Sequence, residues 1–182
     1  MIDVRVAEPG VLDGGELADA EELVRSAFGA DFRTHDWLHG VDGVHVVVSE
    51  NGVLLAHASV VGRTLRHDGR GFATGYVEAV AVSEDQRGRG LGRLVMDHAE
   101  SVIRERYGLG GLNAVHTAVP FYAGRGWTSW DGPTAADTPG GGLVDTYDVD
   151  DRILLFSAPP GEGIALAKGV PLICDWRVGD LW

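Results

Sequence analysis

Val80-Ala81-Val82-Ser83-Glu84-Asp85-Gln86-Arg87-Gly88-Arg89-Gly90-Leu91-Gly92 is the stretch from which the fold is read. Its first three residues close a run, Phe72 to Val82, rich in valine, alanine and aromatics, which is the composition of a strand. Its last residues open a helix whose apolar face, Leu91, Leu94, Val95, Ala99, Val102 and Ile103, recurs at three and four residues. Between them, Arg87-Gly88-Arg89-Gly90-Leu91-Gly92 has the composition of an anion site. Glycine lets the backbone approach phosphate oxygens closely, and the N–H groups at a helix start converge on negative charge. The Lys-Ser/Thr pair of a nucleotide-triphosphate loop is absent, and a dinucleotide fold would open with its βαβ unit rather than with antiparallel strands.

Working outward, Met1 to Ala7 alternates Ile2, Val4 and Val6 with polar residues and predicts a strand. Asp13 and Glu16 are spaced as a capping box ahead of a helix that runs to Phe28 and stops at Gly29. A short polar and aromatic stretch, Asp31 to Trp37, precedes two strand-like runs, Val44 to Ser49 and Val53 to Leu65, which meet at Asn51-Gly52, a strong hairpin signal. A second turn at Asp68-Gly69 leads into Phe72 to Val82, completing an antiparallel meander. After Gly108 the chain predicts a strand near Leu112 to Val115, a short helix near Val119 to Arg125, and strands from Trp127, over Ile153 to Phe156, and over Val170 to Trp176. There is no internal repeat.

The chain has 182 residues, which fits one domain spanning 1–182, with 45% hydrophobic residues to fill a core. Fifteen Lys and Arg against 27 Asp and Glu give a net charge of −12, which argues against nucleic acid and anionic membrane and favours a cationic partner. One cysteine, Cys174, and no leader-like or membrane-spanning segment lead us to expect a reducing, cytoplasmic setting. His35 and His39 are four apart but have no third ligand spaced to join them, so no metal is expected. His57 reads as a partly buried strand residue and Cys174 as a small core residue.

The order Val80-Ala81-Val82, Arg87-x-x-Gly90-x-Gly92, then Pro120-Phe121-Tyr122-Ala123-Gly124-Arg125-Gly126-Trp127 resembles the GNAT acetyltransferases over nearly the whole chain. A closer resemblance is to the aminoglycoside 2′-N-acetyltransferases. It rests on Asp31-Phe32 with Asp36-Trp37, Leu55-Ala56-His57-Ala58, Gly75-Tyr76-Val77-Glu78, Trp130-x-Gly132-Pro133-Thr134, and the tail Cys174-Asp175-Trp176-Arg177-x-Gly179-Asp180-x-Trp182. The resemblance implies an α/β fold of the GNAT type, with a mixed, mostly antiparallel sheet flanked by helices and splayed between its fourth and fifth strands around acetyl-CoA. It implies that the backbone of Val80, Ala81 and Val82 holds pantetheine, and that Arg87, Gly88, Arg89, Gly90, Leu91 and Gly92 hold the pyrophosphate. It also implies a homodimer and a role in antibiotic resistance.

On the acceptor side, an amine must lose a proton to attack a thioester, and a nearby carboxylate can take it. Glu78, on the strand expected to hold the cofactor, is the candidate base, and Tyr122 is the candidate acid that protonates the departing thiolate. A polyamino sugar needs carboxylates around it. Asp31, Asp36, Asp150 and Asp180 match positions lining the antibiotic site, with Trp182 and Asn113 beside them; Asn113 stands where the family has a drug-contacting serine. Asp31 and Asp36 equally suit turn and cap roles, and Asp150 suits a solvated pair with Asp151. The residues leave two alternatives open: a GNAT enzyme for another cationic amine, and a non-catalytic acyl-CoA-binding module.

Overall fold

The computed structural model describes residues 1–146, 151–157 and 166–182, with the backbone alone at Asp31 and Asp151. In chain order the elements are β1 (Ile2–Ala7), α1 (Gly14–Phe28), α2 (Thr34–Gly40), β2 (Val44–Glu50), β3 (Val53–His67), β4 (Arg70–Val82) and α3 (Leu91–Arg106). They continue as β5 (Leu109–Val115), α4 (Val119–Ala123), β6 (Thr128–Ser129), β7 (Thr134–Asp137), β8 (Leu143–Asp145), β9 (Asp151–Ser157) and β10 (Leu172–Cys174). The chain divides into two compact units, Met1–Val61 with Val77–Val102, and Gly62–Tyr76 with Ile103–Trp182; β3 and β4 run through both. No helix among the described residues is long and apolar enough to cross a membrane.

In the first unit, β1, β2 and the first half of β3 form an antiparallel ladder with Val4 opposite Val48 and Val46 opposite Ala58. Asn51 and Gly52 both take positive φ, as the hairpin signal requires. Asp13 caps α1 through the N–H groups of Gly15 and Glu16, and Glu16 returns the bond to the N–H of Asp13. The buried face of α1, Ala20 and Val24, packs with Trp37 and Ala81 into one cluster. Trp37 belongs to a helix, α2, where the sequence showed only a polar and aromatic stretch; seven residues are too few to display a helical period.

In the second unit, β4 pairs parallel to β5 over Thr74–Tyr76 against Leu109–Gly111, while β4 runs on to Val82 and β5 to Val115. β9 pairs antiparallel with both β5 and β6. The second half of β3 pairs with β10, which runs parallel to β7, and β8 closes that edge. The sequence left β7 and β8 unassigned. Thr134-Ala135-Ala136-Asp137 has little strand propensity of its own and is a strand because β10 supplies its bonds. Cys174 and Leu172 are wholly buried in β10.

Gly43, at the entry to β2, is fixed by space: a Cβ there would lie 2.2 Å from Ser59 Oγ and 2.9 Å from the carbonyl oxygen of Val60. Because backbone cannot give way as a side-chain tip can, Gly43→Ala should cost about 1–3 kcal/mol of unfolding free energy, read from urea melts. An unchanged midpoint would mean that β2 shifts freely against β3.

Candidate active site

In the first unit, β4 departs from a regular pleat at Ala79, which takes φ +54°, a left-handed conformation unusual outside glycine. Glu78, Ala79 and Val80 are all half-buried there, so the in-out alternation of the strand is lost. Such an irregularity re-aims the side chains on either side of it. Gly40, closing α2, lies so near Glu78 that a Cβ on it would sit 3.3 Å from Glu78 Cβ, and its carbonyl accepts a 2.5 Å bond from Ser59 Oγ. The helix that carries Asp36 is thereby seated against the strand that carries Glu78. Asp36 itself serves the cap role open to it, accepting from the N–H of Arg33 at 2.7 Å with His35 Nε2 at 3.2 Å.

Past Val82 the chain turns through Ser83, whose N–H donates to the carbonyl of Leu55, into the glycine-rich loop. Gly88 and Gly90 both have φ +82°, which explains glycine at these two positions. The first turn of α3 contains no acidic residue of its own to offset the positive end of the helix. The nearest acid in the loop, Asp85, is occupied by the Ser83 hydroxyl at 2.7 Å and the Gln86 amide at 2.8 Å, bonds that lower its pKa. Arg89 reaches Glu50 at 3.1 Å and also donates to Gln86. A loop of this kind suits a phosphate-bearing ligand.

The second unit holds a cleft of about 590 Å³, within the range that takes a small molecule. β5 supplies Asn113, and the tail supplies Gly179, Asp180, Leu181 and Trp182. Three aspartates, Asp131, Asp145 and Asp180, line it, with Arg152 as a cation. The tail is held by Arg63, a buried residue of β3 that donates to Asp175 Oδ1, to the Asp175 carbonyl and to the Leu181 carbonyl at 2.8–2.9 Å. The Tyr76 ring lies 4.7 Å from its guanidinium. Burial alone would lower the Arg63 pKa, but Tyr76, Asp175 and Cys174 outweigh it and the net shift is upward. Beyond Arg63, the Trp182 indole donates to Thr146 Oγ1 at 2.6 Å, and the Trp182 N–H to Asp180 Oδ1 at 3.2 Å.

On α4, Tyr122 is buried with its ring edge-on to Phe121 and Trp127. Burial pushes its phenol up to about 12, and Arg125 offsets only part of that rise.

Residues 16–127 match the acetyltransferase (GNAT) family. The chain belongs to that family. GNAT acetyltransferases use acetyl-CoA as acetyl donor. An aminoglycoside 2′-N-acetyltransferase of Mycolicibacterium fortuitum is 40% identical over 178 residues, 98% of this chain and 91% of that protein. Two solved structures share the fold. ElaA of Escherichia coli superposes with a TM-score of 0.62 at 19% identity, covering 85% of this chain and 99% of its own. The ribosomal-protein-S18-alanine N-acetyltransferase of Escherichia coli gives 0.60 at 16% identity, covering 91% and 100%.

Of the residues expected in this GNAT site, Asn113, Asp180 and Trp182 come together in the one cleft. Asp31 closes the turn at Gly29–Asp31, and Asp150 lies outside the described residues. The sequence reading missed Asp131, Asp145 and Arg152. Asp131 sits inside the Trp130-x-Gly132-Pro133-Thr134 motif, so that motif was the available signal. Its glycine is demanded by space, since a Cβ on Gly132 would lie 2.4 Å from the Trp130 ring and 2.7 Å from the Lys168 carbonyl. His35 and His39 do share a helix face, with rings 5.9 Å apart. No group of three His, Cys, Asp or Glu suited to a metal occurs among the described residues. Because Arg63 carries three bonds of the tail, Arg63→Met should lower stability by about 2 kcal/mol and speed amide exchange across Asp175–Trp182. Exchange unchanged there would mean that β10 and Thr146 hold the tail without it.

Proposed function

We propose that residues 1–182 form one catalytic domain that transfers the acetyl group of acetyl-CoA directly to the 2′-amine of an aminoglycoside. The observation that carries this reading is the 40% identity, over 98% of the chain, to an aminoglycoside 2′-N-acetyltransferase. The acidic cleft agrees with it, because charge-assisted bonds from ammonium groups to Asp131, Asp145 and Asp180 would hold a polycation. Asp31, Asp36, Asp150, Asn113 and Trp182 complete the acceptor contacts in this reading. The donor binds through the backbone of Val80, Ala81 and Val82 and the N–H groups from Arg87 to Gly92, where two left-handed glycines and an acid-free helix start suit a pyrophosphate.

In this mechanism Glu78 takes the proton that the acceptor amine releases as its nitrogen bonds to the acetyl carbon and the carbon–sulfur bond breaks. Tyr122 donates a hydrogen bond to the departing sulfur. At about 12 its phenol is a far weaker acid than an ordinary thiol near 8.5, so it stabilises the thiolate by that bond rather than by giving up its proton. Cys174 takes no part. Burial raises its thiol to about 11, which leaves little thiolate at neutral pH and supports direct transfer. The product carries one positive charge fewer and binds RNA phosphates more weakly, the physical basis of resistance. The reading includes a cytoplasmic homodimer that needs no metal and binds neither nucleic acid nor membrane. Asn113 in the cleft favours one alternative, a different cationic amine as acceptor.

Release of CoA thiol should occur with aminoglycosides bearing a 2′-amine and not with 2′-hydroxyl analogues or simple polyamines; turnover only on the latter compounds would overturn the substrate assignment. Glu78→Gln should lower kcat by roughly 10²- to 10⁴-fold while acetyl-CoA affinity measured by calorimetry holds, and an unchanged kcat would remove Glu78 from the mechanism. Since its phenol stays protonated, Tyr122 should contribute no falling limb to the kcat profile below about pH 10. A basic limb that vanished in Tyr122→Phe would contradict that role.

A further inference from the structure

Two histidines that the mechanism does not use are wholly buried beside Ala79. His45 on β2 stands opposite Ser59 and His57 on β3 opposite Val47, so the two are diagonal neighbours on one face of the ladder. Their inner nitrogens, His45 Nδ1 and His57 Nε2, are 2.9 Å apart. Their outer nitrogens each meet a backbone carbonyl at 2.9 Å: His45 Nε2 that of Val41, which caps α2, and His57 Nδ1 that of Ala79.

Proton counting decides what this chain of contacts is. A carbonyl oxygen only accepts, so both outer nitrogens carry hydrogen. A neutral imidazole has one N–H, so two neutral rings would face each other across 2.9 Å with lone pairs alone, which is repulsive. A third proton between the inner nitrogens turns that contact into a hydrogen bond. Burial holds His57 down at about 4, with the bond to Ala79 opposing and the neighbouring His45 ring adding to the fall. The Trp37 ring, with its centroid 6.4 Å from that of His45 and 5.8 Å from that of His57, packs tilted against both imidazoles.

We propose that His45 and His57 are positioning residues for the acyl transfer, a proton-sharing pair that ties the end of α2 to the Ala79 carbonyl and so fixes the direction of Glu78. A left-handed alanine persists only where its surroundings over-determine it, and the His57 N–H is the side-chain bond that does so. Glu78 is thus set between two ties, Ala79 to His57 on one side and the Gly40–Ser59 contact on the other. The inference rests on the reading of Glu78 as the base.

Nitrogen-15 spectra of the histidine rings in the intact protein at neutral pH should show three of the pair's four ring nitrogens protonated, and two lone-pair inner nitrogens would overturn the pair. In kinetics, His57→Asn keeps an N–H near the position of Nδ1 and should retain kcat within about fivefold, whereas His57→Gln places its amide nearer Nε2 and should lose about 10- to 100-fold in kcat with the acceptor KM changed little. A folded His57→Gln protein with wild-type kcat would refute the positioning role. Should that variant not fold, His45→Gln, which keeps the bond to Val41 and deletes the shared proton, is held to the same loss in kcat. The ring spectrum needs no acceptor. A wild-type enzyme inactive on aminoglycosides would therefore sink the substrate reading and leave the pair to be judged by its proton count.

Discussion

The Arg63 guanidinium donates to Asp175 and to the Leu181 carbonyl, and the cleft of the second unit depends on that clamp. The tail beyond β10 forms no helix or strand, and of its apolar residues Trp182 is buried while Trp176 and Val178 stay exposed. One buried cation with several fixed donors holds its path, because bonds to a charged donor are stronger than neutral ones and a planar fork specifies direction. The Tyr76 ring under the guanidinium further offsets the cost of burying it. Asp180, Leu181 and Trp182 then stand where the cleft needs them.

The first unit solves a different problem with similar means. There a strand must leave its regular pleat so that a carboxylate and the backbone after it are presented together, and Ala79 accepts an unusual conformation to do so. Side-chain donors from one strand, His57 and Ser59 of β3, satisfy the backbone carbonyls of Ala79 and Gly40. Both units use buried polar groups for direction, which apolar packing does not supply.

Much of this was legible in the sequence. Asp13 with Glu16, Asn51-Gly52, Asp68-Gly69 and the glycines at 88 and 90 each named a local geometry that the backbone adopts, since capping and positive φ are decided within a few residues. The spaced motifs pointed to the family, and the tail motif named Gly179, Asp180 and Trp182 of the cleft. What was not legible depends on partners distant in the chain: α2 on the cluster that receives Trp37, β7 on β10, and Asp145 and Arg152 on a fold that brings them to Asn113. His57, expected to be partly buried, is wholly so, and its partner His45 drew no notice, because a twelve-residue separation gains meaning only once the register of β2 against β3 is known.

Cys174 is the chain's one thiol, wholly buried in β10 with its Sγ 3.3 Å from the carbonyl of Leu181. That placement makes it a built-in clock for the tail. A sulfur shielded by the segment it bonds to, and held as thiol by a pKa near 11, is labelled by an electrophile only in molecules whose tail has lifted. Reagents that colour free CoA therefore meet a quiet protein background while the tail is seated, and the slow appearance of a single equivalent of protein thiol measures how often the cleft comes apart.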